Sequence, residues 1–198
     1  QFLRYASLLG FATAASTGLI QMIRPHEAQA VTYGGKLKVS GILTGLKHPA
    51  QAKWLSPSQI FRHIAEYLTF TDVDNITRPY LLKKWEADQE LRTWTLYLRK
   101  RIFFNNAHEM TADDVLFSFS QWLDPDVGSP MAAVLGAYLE PTGIEKVDRY
   151  QVRLHLNRPE IAVPEHLFYY PAVILNHRTF EGSFLEAEAS PMVLSLET

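Results

Sequence analysis

Residues 91–123, LRTWTLYLRKRIFFNNAHEMTADDVLFSFSQWL, change hydrophobic period partway along, and no single element can satisfy both halves. In TWTLYLR, Trp94, Leu96 and Leu98 fall on one side, while Thr93, Thr95, Tyr97 and Arg99 fall on the other, the alternation of a half-buried strand. After Asn105 and Asn106 the pattern becomes helical. Thr111 suits an N-cap, Asp114 three residues on completes a capping box, and Asp113 places negative charge at the positive end of the helix dipole. Val115, Leu116, Phe119, Trp122 and Leu123 then recur at helical spacing. The segment therefore predicts strand, loop, helix, and commits the chain to a sheet with at least one helix laid on it.

The rest of the chain extends that pattern. KLKVSGI, from Lys36, alternates as a strand after the Gly34-Gly35 breaker. Ser56, Pro57 and Gln59 form a helix start, with Leu55 and Ile60 placed as a hydrophobic staple. Ile60, Phe61, Ile64, Ala65 and Leu68 supply that helix with a buried face and predict an end near Leu68. In YQVRLHLN, Tyr150, Val152, Leu154 and Leu156 alternate with Gln151, Arg153, His155 and Asn157, a second half-buried strand. Pro159 and Pro164 break the chain, and Ala172, Val173, Ile174 and Leu175 read as a short buried strand. Strands and helices interleave without a strict βαβ rhythm, so the expected class is α/β, a mixed sheet with flanking helices.

Composition decides which partners are plausible. The 198 residues are 47% hydrophobic with a net charge of -2, enough apolar material for a globular domain and no basic field to grip nucleic acid. The run Arg99-Lys100-Arg101 reads as a solvated strand end. These 198 residues hold no cysteine, so no disulfide, thiolate nucleophile or lipid-anchored Cys is expected among them.

The first thirty residues read as an export signal. Arg4 precedes an uncharged run from Tyr5 to Ile20, too short and too rich in Gly, Ser, Thr and Ala for a membrane span of about 20 apolar residues. Ala28-Gln29-Ala30 is an A-x-A cleavage site that would leave Val31 as the new terminus. The chain opens on Gln1, so the signal is expected to begin upstream; FLRYASLLG resembles the stretch just after the arginine pair of a twin-arginine signal, although that pair is not in the sequence.

Residues that invite a chemical reading have plainer explanations. Asp113 and Asp114 point about 100° apart on a helix, and capping accounts for both. His63 and Glu66, three apart on the expected helical face, read as a surface ion pair rather than a metal site. There is no H-E-x-x-H, G-x-S-x-G or glycine-rich phosphate loop. Trp85, Trp94 and Trp122 fall on buried faces by pattern. Trp54 comes after the loop over residues 41–51, and it joins Leu43 and Thr44 of that loop as the candidate ligand contacts.

Taken in order, GGKLKVSG, IFRHIAEYLTFTDVDNITRPYLLKKWE, WTLYLRKRIFFNNAHEMTADDVLFSFSQWLDP and IEKVDRYQVRLHLNRP resemble the family 5 extracellular solute-binding proteins of ABC transporters, the dipeptide, oligopeptide and nickel group. Glu66, Pro79, Trp85, Arg99, Thr111, Asp113 and Asp114 form the structural signature, with Leu68, Leu82, Trp94, Leu96, Leu98, Phe104, Ala112, Val115, Ser118 and Pro159 also matching. The resemblance implies the first lobe of a type II periplasmic-binding-protein fold, truncated: residues 1–30 an export signal, 31–183 a partial solute-binding domain (lobe I), and 184–198 a divergent tail without the family's GTGPY turn. It implies a periplasmic protein without catalytic residues, cofactor or metal, whose partners are a peptide or similar small solute and ABC permease subunits at the inner membrane. Two other readings stay open, an exported hydrolase using Asp113 or Asp114 with His108, and a non-functional fragment of a split gene. Asn106 stands where the family has Gly, and is expected to take the left-handed conformation of that turn.

Overall fold

Trp94, Leu96 and Leu98 of strand β4 (Thr93–Leu98) are buried while the residues between them are half-buried, so the alternation seen in the sequence is the alternation of the fold. The computed structural model describes residues 48–53, 61–63 and 65–180, all within the unit Gly41–Thr198. The export segment 1–30, the strand from Lys36, the Ser56 helix start, the candidate contacts Leu43, Thr44 and Trp54, and the tail 184–198 lie outside the described residues.

Strand β6 (Gln151–Leu156) pairs antiparallel with β4, setting Trp94 opposite Leu154 and Leu96 opposite Val152 on one buried face. Strand β3 (Leu82–Ala87) flanks β4 with Trp85 opposite Leu96, and β5 (Leu139–Asp148) flanks β6, giving the order β3-β4-β6-β5. The expected α/β architecture, a sheet with flanking helices, is what these residues form; every strand pairing among them is antiparallel.

Helix α1 (Ala112–Leu123) covers the buried face with Val115, Phe119 and Trp122, each fully buried. Its start is the predicted one: the Asp114 carboxylate accepts the Thr111 backbone N–H at 2.8 Å. Helix α2 (Pro130–Leu135) begins at Ser129, whose hydroxyl accepts from the Met131 N–H at 3.2 Å, with Pro130 at the first helical position. A short helix, α3 (Val163–His166), comes after β6.

Beside the sheet stands a small hairpin of β1 (Thr69–Thr71) and β2 (Thr77–Pro79). Its turn is built by Asp72, whose carboxylate accepts the backbone N–H groups of Asp74 and Ile76 and the Arg78 Nε–H, each at 3.0 Å. Asn75 supplies the left-handed residue with φ of 57°, a conformation asparagine adopts more readily than most.

Three local expectations are corrected. The helix predicted to run to Leu68 is helical at 61–63, but Ala65 and Glu66 are not. The backbone of 66–68 is claimed instead by long-range bonds: Ile174 N–H to Glu66 O, Leu81 N–H to Tyr67 O and Leu82 N–H to Leu68 O. Ala172, Val173, Ile174 and Leu175 are buried as expected, yet they contribute one bridge, Val173 to Tyr67, rather than a strand. The left-handed residue of the 103–109 turn is Ala107, with φ of 63°, not Asn106. Asn106 works through its side chain, its Oδ1 accepting the His108 N–H at 3.1 Å, a local bond typical of Asn in turns.

Candidate functional site

The signature residues separate into structural anchors and one recess. Asp114, 1% exposed, accepts four hydrogen bonds: Thr111 N–H and hydroxyl on Oδ2 at 2.8 and 3.3 Å, and His177 N–H and Nδ1 on Oδ1 at 3.1 and 2.8 Å. A buried carboxylate so saturated clamps the 172–177 segment onto the start of α1. Asp113, by contrast, points outward and pairs with Lys146 Nζ at 2.7 and 2.8 Å. The ring of His108 bonds the Asn106 amide at 3.2 Å. The Asp–His pair required by a hydrolase is therefore not assembled from the residues expected to form it.

Other signature residues serve the backbone. Arg99 takes the Leu81 carbonyl with its N–H at 3.0 Å and the Leu82 carbonyl with Nε at 3.2 Å, tying the end of β4 to the start of β3. Pro79 closes the β1–β2 hairpin opposite Thr69. Trp85 is half-buried against the core from the edge strand β3.

Glu66 is different from expectation in both place and surroundings. It lies beyond the helix, is buried, and accepts the Tyr80 hydroxyl at 3.1 Å, whereas His63 is exposed. It lines a recess of about 370 Å³ together with Arg62, Ala65, Tyr67, Phe70, Tyr80 and Phe168. That volume is at the small end of ligand pockets, roughly 300 to 1,000 Å³. Four aromatic rings form its walls. Phe168 meets Phe70 edge-on at 5.1 Å and Tyr67 edge-on at 5.2 Å, and Phe70 lies 6.2 Å from Tyr80. Exposed Arg62 lays its guanidinium 4.5 Å from the centre of the Phe168 ring and 5.8 Å from that of Tyr170.

The two phenols of the recess are already engaged. Burial pushes the Tyr67 hydroxyl up to about 12 against the opposing charge of Arg62, and its O–H is already donated to the Tyr170 carbonyl at 3.1 Å. Tyr80 is also raised, by burial first and then by the Glu66 carboxylate it donates to. Both phenols are thus held protonated at neutral pH. Sequence reasoning singled out Glu66 but missed Arg62, Tyr67, Phe70, Tyr80 and Phe168. Phe168 lies far along the chain from the others, and no periodicity connects them.

The described residues thus form an antiparallel sheet with a capped helix across it and an aromatic recess beside it. Residues 77–193 match the bacterial extracellular solute-binding proteins, family 5 Middle, and the chain belongs to that family, which is one of binding proteins and not of enzymes. The Haemophilus influenzae periplasmic oligopeptide-binding protein OppA is 25% identical over 126 residues, covering 56% of this chain and 23% of that protein. Di/tripeptide-binding protein 4 of Pseudomonas aeruginosa is 33% identical over 96 residues, covering 41% of this chain and 18% of its own length. The chain thus spans about a quarter or less of the relatives it matches. Among solved structures, Listeria monocytogenes OppA bound to peptide aligns with a TM-score of 0.61 at 19% identity, over 66% of this chain and 28% of that one. NikZ from Campylobacter jejuni in complex with Ni(L-His) aligns with a TM-score of 0.59 at 19% identity, over 70% and 27%. These likenesses give the fold, that of type II periplasmic binding proteins.

Proposed function

We propose that this protein is the solute-binding component of an ABC importer, taking up a peptide or a similar small solute in the periplasm and presenting it to permease subunits at the inner membrane. Family membership over residues 77–193 carries the reading, and the names of its relatives, oligopeptide- and di/tripeptide-binding, favour peptides. In this proposal residues 1–30 direct export and are removed, and residues 31–183 supply part of a solute-binding domain, with Leu43, Thr44 and Trp54 among its ligand contacts. Solute binding then favours the arrangement that encloses it, by as much as its affinity differs between open and closed states.

A thermal-shift screen of the exported chain against pools of di- to pentapeptides, sugars and nickel–histidine tests the reading. A ligand at a hundred times its dissociation constant stabilises the folded state by about 2.7 kcal/mol, a shift of several degrees. Peptides are expected to raise the melting temperature and sugars to leave it unchanged. No shift with any peptide pool at millimolar concentration overturns the peptide reading.

A further inference from the structure

The turn of the β1–β2 hairpin carries a tripeptide that solute binding does not use. Asn75-Ile76-Thr77 has the form Asn-x-Ser/Thr with a residue other than proline in the middle, and no other asparagine of the 198 residues stands in such a sequence. Tripeptides of this form are common by chance, so placement in the fold decides whether one is a site. Here Asn75 is exposed, together with Val73, Asp74 and Ile76 around it. Asparagine often builds a turn with its side chain, but in this turn Asp72 does so, its carboxylate accepting the Asp74 and Ile76 N–H groups and the Arg78 Nε–H. Asn75 contributes backbone alone: its φ of 57° and an N–H donated to the Asp72 carbonyl at 3.1 Å. Among the described residues no hydrogen bond holds its carboxamide. The same apex is apolar where a solvated turn is ordinarily polar, with Val73 98% exposed and Ile76 48% exposed.

We propose that Asn75 is an acceptor site for an N-linked glycan, with a lipid diphosphate-linked oligosaccharide as the donor. Asn75 Nδ2 forms a bond to the anomeric carbon of the first sugar, and the bond from that carbon to the diphosphate oxygen breaks. The lipid diphosphate leaves with the electron pair, and one amide proton is released. The Thr77 hydroxyl completes the acceptor sequence; it is shared with the Thr71 hydroxyl at 3.0 Å, one half-buried bond in a hairpin of three residue pairs, and recognition gives that bond up. A glycan at Asn75 meets solvent rather than packed protein, and it covers Val73 and Ile76, as a bulky polar group on a surface turn does. Acceptors of this kind lie on surface loops of secreted proteins, so the site depends on the export proposed above and on nothing about the solute.

The test incubates the full chain with a single-subunit oligosaccharyltransferase and a lipid diphosphate-linked oligosaccharide, beside a short Asn-Ile-Thr peptide that shows the enzyme to be active, and reads intact mass. The parent chain is expected to gain the mass of one glycan, mapped to Asn75 by proteolysis. Asn75→Gln and Thr77→Ala should gain nothing, while Thr77→Ser, which keeps the hydroxyl, should still be modified. No gain in the parent chain while the peptide is modified, or a gain that survives Asn75→Gln or Thr77→Ala, overturns the site. Because the reaction is run on purified chain without solute, such a result refutes the acceptor site and leaves export and solute binding standing.

Discussion

His177 Nδ1 lies 2.8 Å from Asp114 Oδ1, and the His177 backbone N–H donates to the same oxygen at 3.1 Å, so one buried carboxylate holds both the start of α1 and a segment sixty-three residues later. Ser118, one turn along the same helix, repeats the device. Its hydroxyl donates to the Asp114 carbonyl at 2.7 Å and accepts the Leu175 N–H at 2.9 Å. Helix α1 is thereby fastened to the 172–177 segment at two points one helical turn apart.

Replacing Asp114 by Ala is expected to cost about 2 to 4 kcal/mol, because four donors lose their acceptor in a buried site where each unmet group is expensive. Ser118→Ala should cost about 1 to 3 kcal/mol by orphaning the Leu175 N–H. Since both act on one segment, the double variant should lose less than the sum of the two. Urea denaturation measures all three; losses that simply add would show that the two fastenings are independent.

Asp113 should behave in the opposite way, although it is its neighbour in the sequence. Its pair with Lys146 is about half exposed, so Asp113→Ala is expected to cost less than about 1 kcal/mol, including its favourable interaction with the helix dipole. The loss should shrink in 1 M salt, where the screening length falls to about 3 Å. A large, salt-independent loss would mean that Asp113 carries a role the ion pair does not explain.

The contrast between these two aspartates shows what the sequence could convey. Thr111 and Asp114 announced a helix start because capping is local, three residues of spacing and one backbone donor. Strands β4 and β6 were equally legible, since each has one face in the core and one outside. Strand β5 was not: apart from Leu139 it is largely exposed, and its register with β6 shifts twice. Strand β3 was hidden for a related reason, an edge position that buries Leu82 fully and Trp85 by half. The false helical extension to Leu68 came from reading Ala65 and Leu68 as one helical face. Both are indeed buried, but Leu68 gets there through sheet-like bonding to residues 80 and 82. Long-range pairing of this sort leaves no periodic trace. The recess suffers the same blindness, because Phe168 reaches it only after the whole sheet has formed.

Ala107 offers a test of backbone strain. An alanine at φ of 63° holds its Cβ against the carbonyl, a conformation that costs an L-residue roughly 1 to 2 kcal/mol and glycine nothing. Ala107→Gly relieves that cost and adds back some chain entropy in the unfolded state, so a net stabilisation of up to about 1 kcal/mol is expected. Ala107→Val should be destabilising, since a β-branched side chain tolerates this conformation least. A glycine variant less stable than the parent would place the strain elsewhere in the turn.

His48 predicts how stability responds to acid. The ring is buried; Nδ1 accepts the Ala50 N–H at 3.0 Å, which leaves the proton on Nε2 to be donated to Gln121 Oε1 at 3.1 Å. Burial lowers its pKa below 6.5, outweighing the bond to Gln121 and the charge of Asp124, which both raise it. A protonated Nδ1 would turn an acceptor into a donor facing the Ala50 N–H. Because the unfolded chain takes up this proton more readily than the folded one, the contribution is fully present above pH 6.5. It is lost progressively as pH falls from there toward the lower folded value, and levels off beneath it. Chemical denaturation of the parent chain and of His48→Asn at intervals from about pH 7.5 to 5 measures the difference. The parent should lose stability relative to the variant across that window; parallel profiles would mean that the His48 ring keeps its ordinary affinity for protons in the fold.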